Sequence, residues 1–222
     1  MNGDKMQSDI LVKTIILTTI IFILGIFAGV WLDNMRLEEV KGSITATDIE
    51  WNDARIQSMF YQKFASDPES CENAIKSNLD FNDKIYNQGI EIERRENVEK
   101  FTPDIVSEKT RYALLQLQFW FNSINLKETC NANYSSIVYF YSFFNENLKI
   151  DQKIQSTILR DLKEECGNKL ILIPLPFDLN ISTIEFIKSD FKIDSAPSLL
   201  INEKTVLKNV QNKEEILKYI SC

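Results

Sequence analysis

Residues 137–142 read Ile-Val-Tyr-Phe-Tyr-Ser, an apolar run rich in β-branched and aromatic side chains that predicts a buried β-strand. The spacing of apolar residues over 151–166 predicts an amphipathic helix, which Gly167 ends. Residues 170–175 form a second, uninterrupted apolar run, which is typical of strands inside a parallel sheet. A strand, a helix and a second strand in one sheet make a right-handed crossover, so this stretch predicts an α/β domain.

The residues that follow predict the rest of this domain. A short helix is expected over 182–191, and two strands over 198–201 and 206–210 flank the polar turn 202–205 as a hairpin. A last helix is expected over 212–220. The predicted element order is therefore βαβ-α-ββα.

This order, preceded by a helix, resembles the thioredoxin fold, and the resemblance covers the predicted domain at residues 129–222. Its most specific element is Ala196-Pro197, which enters a strand. In thioredoxin-like proteins the proline at this place is cis and faces the redox motif, and backbone groups near it pair with an extended peptide. The resemblance therefore implies a peptide-binding loop at Ala196, Pro197 and Ser198.

The whole chain is similar to membrane-anchored thioredoxin-like proteins of archaeal type. The similarity is carried by Lys127-Glu128-Thr129-Cys130 before the first strand and by Tyr139-Phe140-Tyr141-Ser142 within it. Such relatives carry Cys-Pro-x-Cys at the start of the next helix. The corresponding positions here are Lys149, Ile150, Asp151 and Gln152, none of which can form a disulfide. We interpret Asp151 as the cap of that helix, and no catalytic residue is predicted.

Composition excludes several classes of function. The chain contains no histidine, which excludes Ser-His-Asp and Cys-His nucleophile pairs and histidine-ligated metal sites. None of its six glycines forms a phosphate-binding loop of the Walker or dinucleotide type. The net charge of −7 argues against nucleic acid as a partner. We therefore expect neither a cofactor nor a metal.

Residues 14–32 are an uninterrupted run of uncharged residues. At about 1.5 Å per residue, such a run matches a hydrocarbon core of about 30 Å. We predict a transmembrane helix over residues 10–32 after a short tail at 1–9. The alternative is a cleaved signal peptide, whose apolar region is normally only about 7–15 residues long. Gly25 and Gly29 form a Gly-x-x-x-Gly, a spacing that would let two such helices pack as a homodimer.

The side of the membrane is argued from the cysteines, because lysine and arginine are balanced around the helix. Four cysteines without metal-ligand spacing suit two disulfides in an oxidising compartment. The alternative is four separate buried thiols in a cytosolic domain. We predict a single-pass protein with the bulk of the chain outside the cytoplasm. The fold that the resemblance implies puts Cys130, Cys166 and Cys222 at the end away from the redox motif, so Cys166 is expected to pair with Cys222, and Cys71 with Cys130.

Between the membrane helix and the α/β domain the sequence predicts a helical, coiled-coil-like stem. Residues 33–46 are expected to be a linker that ends in a hinge at 42–47, where Thr47 and Glu50 form a capping box. Asp67-Pro68 and Thr102-Pro103 predict the starts of two more helices. The stem over residues 47–128 would thus contain about three helices, the last one packing on the sheet because it is apolar on several faces.

Three functions remain open at this point. The first is an anchored, redox-inactive thioredoxin-like module that binds a peptide or protein near Pro197. The second is a thiol-disulfide oxidoreductase that uses a non-standard cysteine such as Cys130. The third is a structural envelope protein in which the helical stem does the binding.

Overall fold

The computed structural model describes residues 3–64, 68–99 and 102–222, which divide into two compact units, Met1–Ala46 and Thr47–Cys222. The first helix, α1, runs over Gly3–Phe64. Within it Lys13–Met35 is long and apolar enough to cross a membrane, three residues further along than predicted, and none of it is buried in the protein. The hydroxyls of Thr18 and Thr19 donate to the carbonyls four residues earlier, at 2.7 and 2.9 Å. Both polar side chains are thereby satisfied inside their own helix.

Residues 42–47, where the sequence predicts a hinge, are helical within α1, and the boundary between the two units falls at Ala46–Thr47. For the same reason, Thr47 and Glu50 do not start a helix: the helix is already formed there. A single glycine such as Gly42 lowers helix stability by only about 1 kcal/mol relative to alanine. That cost is small compared with the hydrogen bonds of the flanking turns.

Two long helices follow in the second unit, α2 over Pro68–Glu99 and α3 over Pro103–Cys130. Thr102 caps α3 as predicted: its hydroxyl accepts from the backbone N–H of Ile105 at 3.4 Å. The other predicted cap, Asp67, lies outside the described residues. Tyr112 of α3 lies against Gly89 of α2, where a Cβ atom would overlap the tyrosine hydroxyl, and it donates a hydrogen bond to the carbonyl of Ile85 at 3.2 Å. The two helices therefore approach closely.

The sheet has four strands in the order β2-β1-β3-β4. β1 (Ser135–Tyr141) and β2 (Leu170–Pro176) are parallel, and β3 (Ser198–Ile201) is antiparallel to β1 and to β4 (Thr205–Lys208). Helix α4 (Lys149–Cys166) connects the parallel pair, and α5 (Ser182–Asp190) and α6 (Lys213–Leu217) follow β2 and β4. This is the βαβ-α-ββα order that the sequence predicts.

Each face of the sheet has its own core. On one face α3 packs against both α2 and the sheet, as its apolar residues predict: Phe81, Ile85, Leu115, Phe119, Trp120, Val138, Phe140 and Ile173 belong to one buried cluster, together with Ile184 and Ile187 of α5. The other face carries α4 and α6 through Ile137, Tyr139, Leu159, Leu162, Leu199 and Ile216. The sheet is thus buried on both faces, which explains its uninterrupted apolar runs.

Candidate functional site

The candidate site lies at the end of the sheet where β1 and β2 finish and β3 begins, which we call the Pro197 end. The register pairs Phe140 with Ser198 and Tyr141 with Pro176, so these strand ends are neighbours. The opposite end holds the starts of β1 and β2, where Ser135 pairs with Leu170. The thioredoxin resemblance implies the redox motif and the proline loop at the Pro197 end.

The loop before β3 contains the predicted proline. The Ala196–Pro197 peptide bond is cis, and Pro197 is buried. The carbonyl of Pro197 accepts from the backbone N–H of Asn209 at 2.9 Å, and the hydroxyl of Ser198 donates to the carbonyl of Ser195 at 2.7 Å. Ala196 is half-exposed, and its backbone makes no hydrogen bond to any residue that the structure describes. Ala196 therefore keeps a free N–H donor and a free carbonyl acceptor.

The backbone of Ala196 is unpaired because β1 ends at Tyr141. Continuing the register of Phe140 with Ser198 by two residues would place Ser142 opposite Ala196. Ser142 is instead turned toward Asp178, in the loop after β2: its hydroxyl donates to one carboxylate oxygen of Asp178. Ala196 is thus left without a strand partner on the side of β1.

Asp178 also holds the next two residues of the loop. The backbone N–H of Phe143 donates to Oδ1 of Asp178 at 2.7 Å, and that of Phe144 to Oδ2 at 3.0 Å. Further along, the N–H of Asn145 donates to the hydroxyl of Ser142 at 3.0 Å. One carboxylate therefore organises the segment between β1 and α4.

The predicted motif positions lie just beyond this segment. Lys149, Ile150, Asp151 and Gln152 form the first turn of α4, after a 3₁₀ turn over Glu146–Leu148. The interpretation of Asp151 as the helix cap is wrong, because the helix begins before it and Leu148 holds the cap position without a side-chain hydrogen bond. The carbonyl of Gln152 accepts from the Tyr139 hydroxyl at 3.2 Å, and burial raises the pKa of Tyr139.

A buried lysine lies next to the same loop. The Nζ of Lys109 on α3 lies 2.6 Å from Glu96 of α2 and 3.3 Å from the Tyr141 hydroxyl, and it lies 5.5 Å from the ring centre of Phe143. Burial alone would lower the pKa of Lys109, but Tyr141 and Glu96 raise it above the usual value of a lysine. The amine therefore stays charged, and it links the two stem helices to the end of β1.

The four cysteines lie away from this site. Cys71 and Cys130 are at disulfide distance, with Cα atoms 5.4 Å apart, and so are Cys166 and Cys222, at 4.8 Å. All four cysteines lie in the described part of the chain, and none of them is free. The Ser221 N–H donates to Ser135 Oγ at 3.1 Å, which puts the chain terminus at the opposite end of the sheet. A cavity of about 780 Å³ lies beside Cys71 and Cys130.

The remaining sequence-predicted residues are not part of the site. Gly25 and Gly29 belong to the first unit, and a Cβ atom at either would meet nothing within 4 Å. Among the residues searched, all within the described part of the chain, no group of three or more cysteine, aspartate or glutamate side chains could hold a metal ion.

Sequence reasoning missed Ser142 and Asp178. The available signal was topological: parallel strands end at one edge, so the residues after β1 and after β2 are neighbours. An aspartate soon after the second apolar run was therefore a candidate partner for the loop after the first.

Neither a protein-family model nor a curated protein matches the chain. Among solved structures, a malarial protein matches at 20% identity and a TM-score of 0.31, over 39% of this chain and 93% of that one. Thioredoxin-2, a component of the malaria parasite protein secretion machinery, matches at 23% identity and a TM-score of 0.29, over 39% and 80%. The germline-specific thioredoxin Deadhead from Drosophila melanogaster matches at 11% identity and a TM-score of 0.32, over 46% and 89%. At these scores, the fold class rests on the strand order and register.

Proposed function

We propose that this protein is a single-pass, membrane-anchored thioredoxin-like module outside the cytoplasm, which binds an extended peptide or protein segment and performs no dithiol chemistry. The observation that carries the proposal is the unpaired, half-exposed backbone of Ala196 beside a segment without cysteine. An extended peptide can form hydrogen bonds to such a free donor and acceptor as an added strand would.

The cysteine geometry supports the absence of dithiol chemistry. Dithiol exchange needs a thiolate, stabilised at a helix start or beside a cation, and a resolving thiol close by. The first turn of α4 offers Lys149, Ile150, Asp151 and Gln152 instead. Cys130, the non-standard cysteine of the oxidoreductase alternative, is bonded to Cys71 and ends a helix, where the helix dipole disfavours a thiolate.

The membrane anchor is supported by the length and composition of Lys13–Met35. Two disulfides favour an oxidising compartment for the second unit, because such bridges rarely persist in the cytosol. An anchor of this kind would keep the peptide-binding module attached to the membrane.

Amide hydrogen exchange of the full chain in lipid nanodiscs tests the binding function. We expect an extended, unfolded polypeptide such as reduced carboxymethylated lactalbumin to slow exchange of the Ala196 amide. The amide of Asn133, in an exposed loop at the opposite end of the sheet, serves as the control. Unchanged exchange at Ala196 under saturating polypeptide would contradict peptide binding.

An insulin-reduction assay tests the proposed absence of dithiol chemistry. Turnover at the rate of a dithiol enzyme, abolished by Cys130→Ser, would establish the oxidoreductase instead.

A further inference from the structure

We infer that the segment Ser142–Asn145 is the specificity surface of this peptide site, with Asp178 positioning Phe144 against a bulky apolar side chain of the bound peptide. The inference rests on the proposed function, and it adds the class of ligand: an extended segment with a large apolar residue beside the part that pairs with Ala196.

The first step is the rigidity of the segment. Its backbone is held at Phe143 and Phe144 by Asp178, and its first side chain, Ser142, donates to the same carboxylate. Hydrogen bonds to a charged acceptor are stronger than those between neutral groups. The side chain of Asn145 adds one more contact, accepting from the N–H of Asn147 at 3.1 Å. A loop fixed by its backbone presents its side chains in one place, which limits the entropy lost on binding.

The second step is the different placement of the two phenylalanines. Phe143 is buried, with 5% of its surface exposed, whereas 47% of Phe144 is exposed. The two rings meet edge to face, with centroids 4.8 Å apart. Phe144 thus rests on a buried ring and turns much of its surface to solvent. Aromatic side chains, phenylalanine included, are enriched in protein interfaces relative to the rest of the surface.

The third step is that the segment and the free backbone of Ala196 lie at the same end of the sheet. The extended register places Ser142 opposite Ala196, and Phe144 follows two residues later on the turned-away segment. A peptide strand that pairs with Ala196 would therefore run beside this segment. Because side chains of a strand alternate between its faces, we expect one of them to face the segment that carries Phe144.

The test uses two fluorescein-labelled peptides of nine residues, alternating serine and threonine, which differ only at the centre: phenylalanine in one and asparagine in the other. Anisotropy is measured with the full chain in nanodiscs, with empty nanodiscs as the blank. We expect the phenylalanine peptide to bind about tenfold more tightly than the asparagine peptide. Partial burial of an aromatic ring changes the affinity by a factor of this order. Phe144→Ser should remove this preference. Phe186→Ser, which replaces an aromatic residue 74% exposed on α5, is the matched control and should retain it.

The role of Asp178 is tested separately. We expect Asp178→Ala to reduce the preference and to speed amide exchange at Phe143 and Phe144, and Asp178→Asn, which keeps an acceptor oxygen, to be intermediate in both. Equal binding of the two peptides, or a preference that survives Phe144→Ser, would overturn the inference and leave the proposed function standing. No saturable binding of either peptide, with no protection of Ala196, would overturn both. If the preference for the phenylalanine peptide survives Asp178→Ala, Asp178 does not position Phe144.

Discussion

The indole N–H of Trp120 on α3 donates a hydrogen bond of 2.8 Å to the carboxylate of Glu203, at the tip of the turn between β3 and β4. The same oxygen accepts from the hydroxyl of Ser136 on β1, at 2.6 Å. Glu203 has a positive φ of 54°, as does its neighbour Asn202 at 48°. A charged residue in an unusual backbone conformation therefore connects the turn to a helix and to a central strand.

We expect Glu203→Ala to destabilise the second unit by about 1–3 kcal/mol, because it leaves the Trp120 and Ser136 donors without their acceptor. Thermal unfolding of the full chain in micelles measures the effect. Glu128→Ala, which removes an exposed glutamate at the end of α3, is the control and should change stability by less than about 0.5 kcal/mol. Equal shifts for both variants would show that the hydrogen bonds of Glu203 do not contribute.

Gly89→Ala should weaken the packing of α2 on α3. The new Cβ would overlap the Tyr112 hydroxyl oxygen and lie 2.9 Å from the ring carbon that carries it. Overpacking of this kind costs about 1–3 kcal/mol. In a Tyr112→Phe background the same substitution should cost less, because the overlapping oxygen is gone. Additive effects of the two changes would contradict a direct clash.

Peptide mapping without reductant should find two cross-links, Cys71 with Cys130 and Cys166 with Cys222. Because the pairs are 59 and 56 residues apart, replacing either pair by alanine should lower stability by a similar amount, about 4 kcal/mol in the chain-entropy model. The reduced wild type is the reference that separates cross-linking from side-chain packing. Recovery of Cys71 with Cys222, or of free thiols, would refute this connectivity.

Stability should fall at alkaline pH through Lys109. Its pKa in the folded protein lies above the ordinary lysine value of about 10.4, so its stabilising effect is complete below that value and is lost as the pH rises through the folded pKa. Lys109→Met should be less stable than the wild type at pH 7, because Glu96 loses its partner. As the pH rises from about 10 to 12, the variant should lose less further stability than the wild type does. The exposed Lys84→Met is the control. A parallel pH profile for wild type and Lys109→Met would exclude this linkage.

The parts of the fold that could be read from the sequence are those specified by side-chain pattern. The apolar runs of β1 and β2 and the cap at Thr102 carry strong local signals, and the structure has these elements. The sequence does not predict the helical state of residues 42–47, because a glycine and a capping box there outweigh the cooperativity of a long helix when only local signals are considered.

Only part of the candidate site could be predicted from the sequence, for a different reason. Ala196-Pro197 is visible as a dipeptide, but the contacts of Asp178 are mostly to backbone N–H groups, which every residue except proline has. Such contacts do not restrict the types of the residues that donate, so the sequence does not reveal them. They become apparent only when the structure shows the strand ends side by side.

The two cysteine pairs also determine how the chain would respond to a pulling force. A force applied between the apolar segment Lys13–Met35 and Cys222 would pass from Cys222 directly to Cys166, and from Cys130 directly to Cys71. The 59- and 56-residue loops would be shielded, and at about 3.4 Å per extended residue they hold roughly 200 Å and 190 Å of chain length. In the oxidised protein, therefore, roughly 390 Å of chain inside the two loops cannot add to the maximum end-to-end length under force.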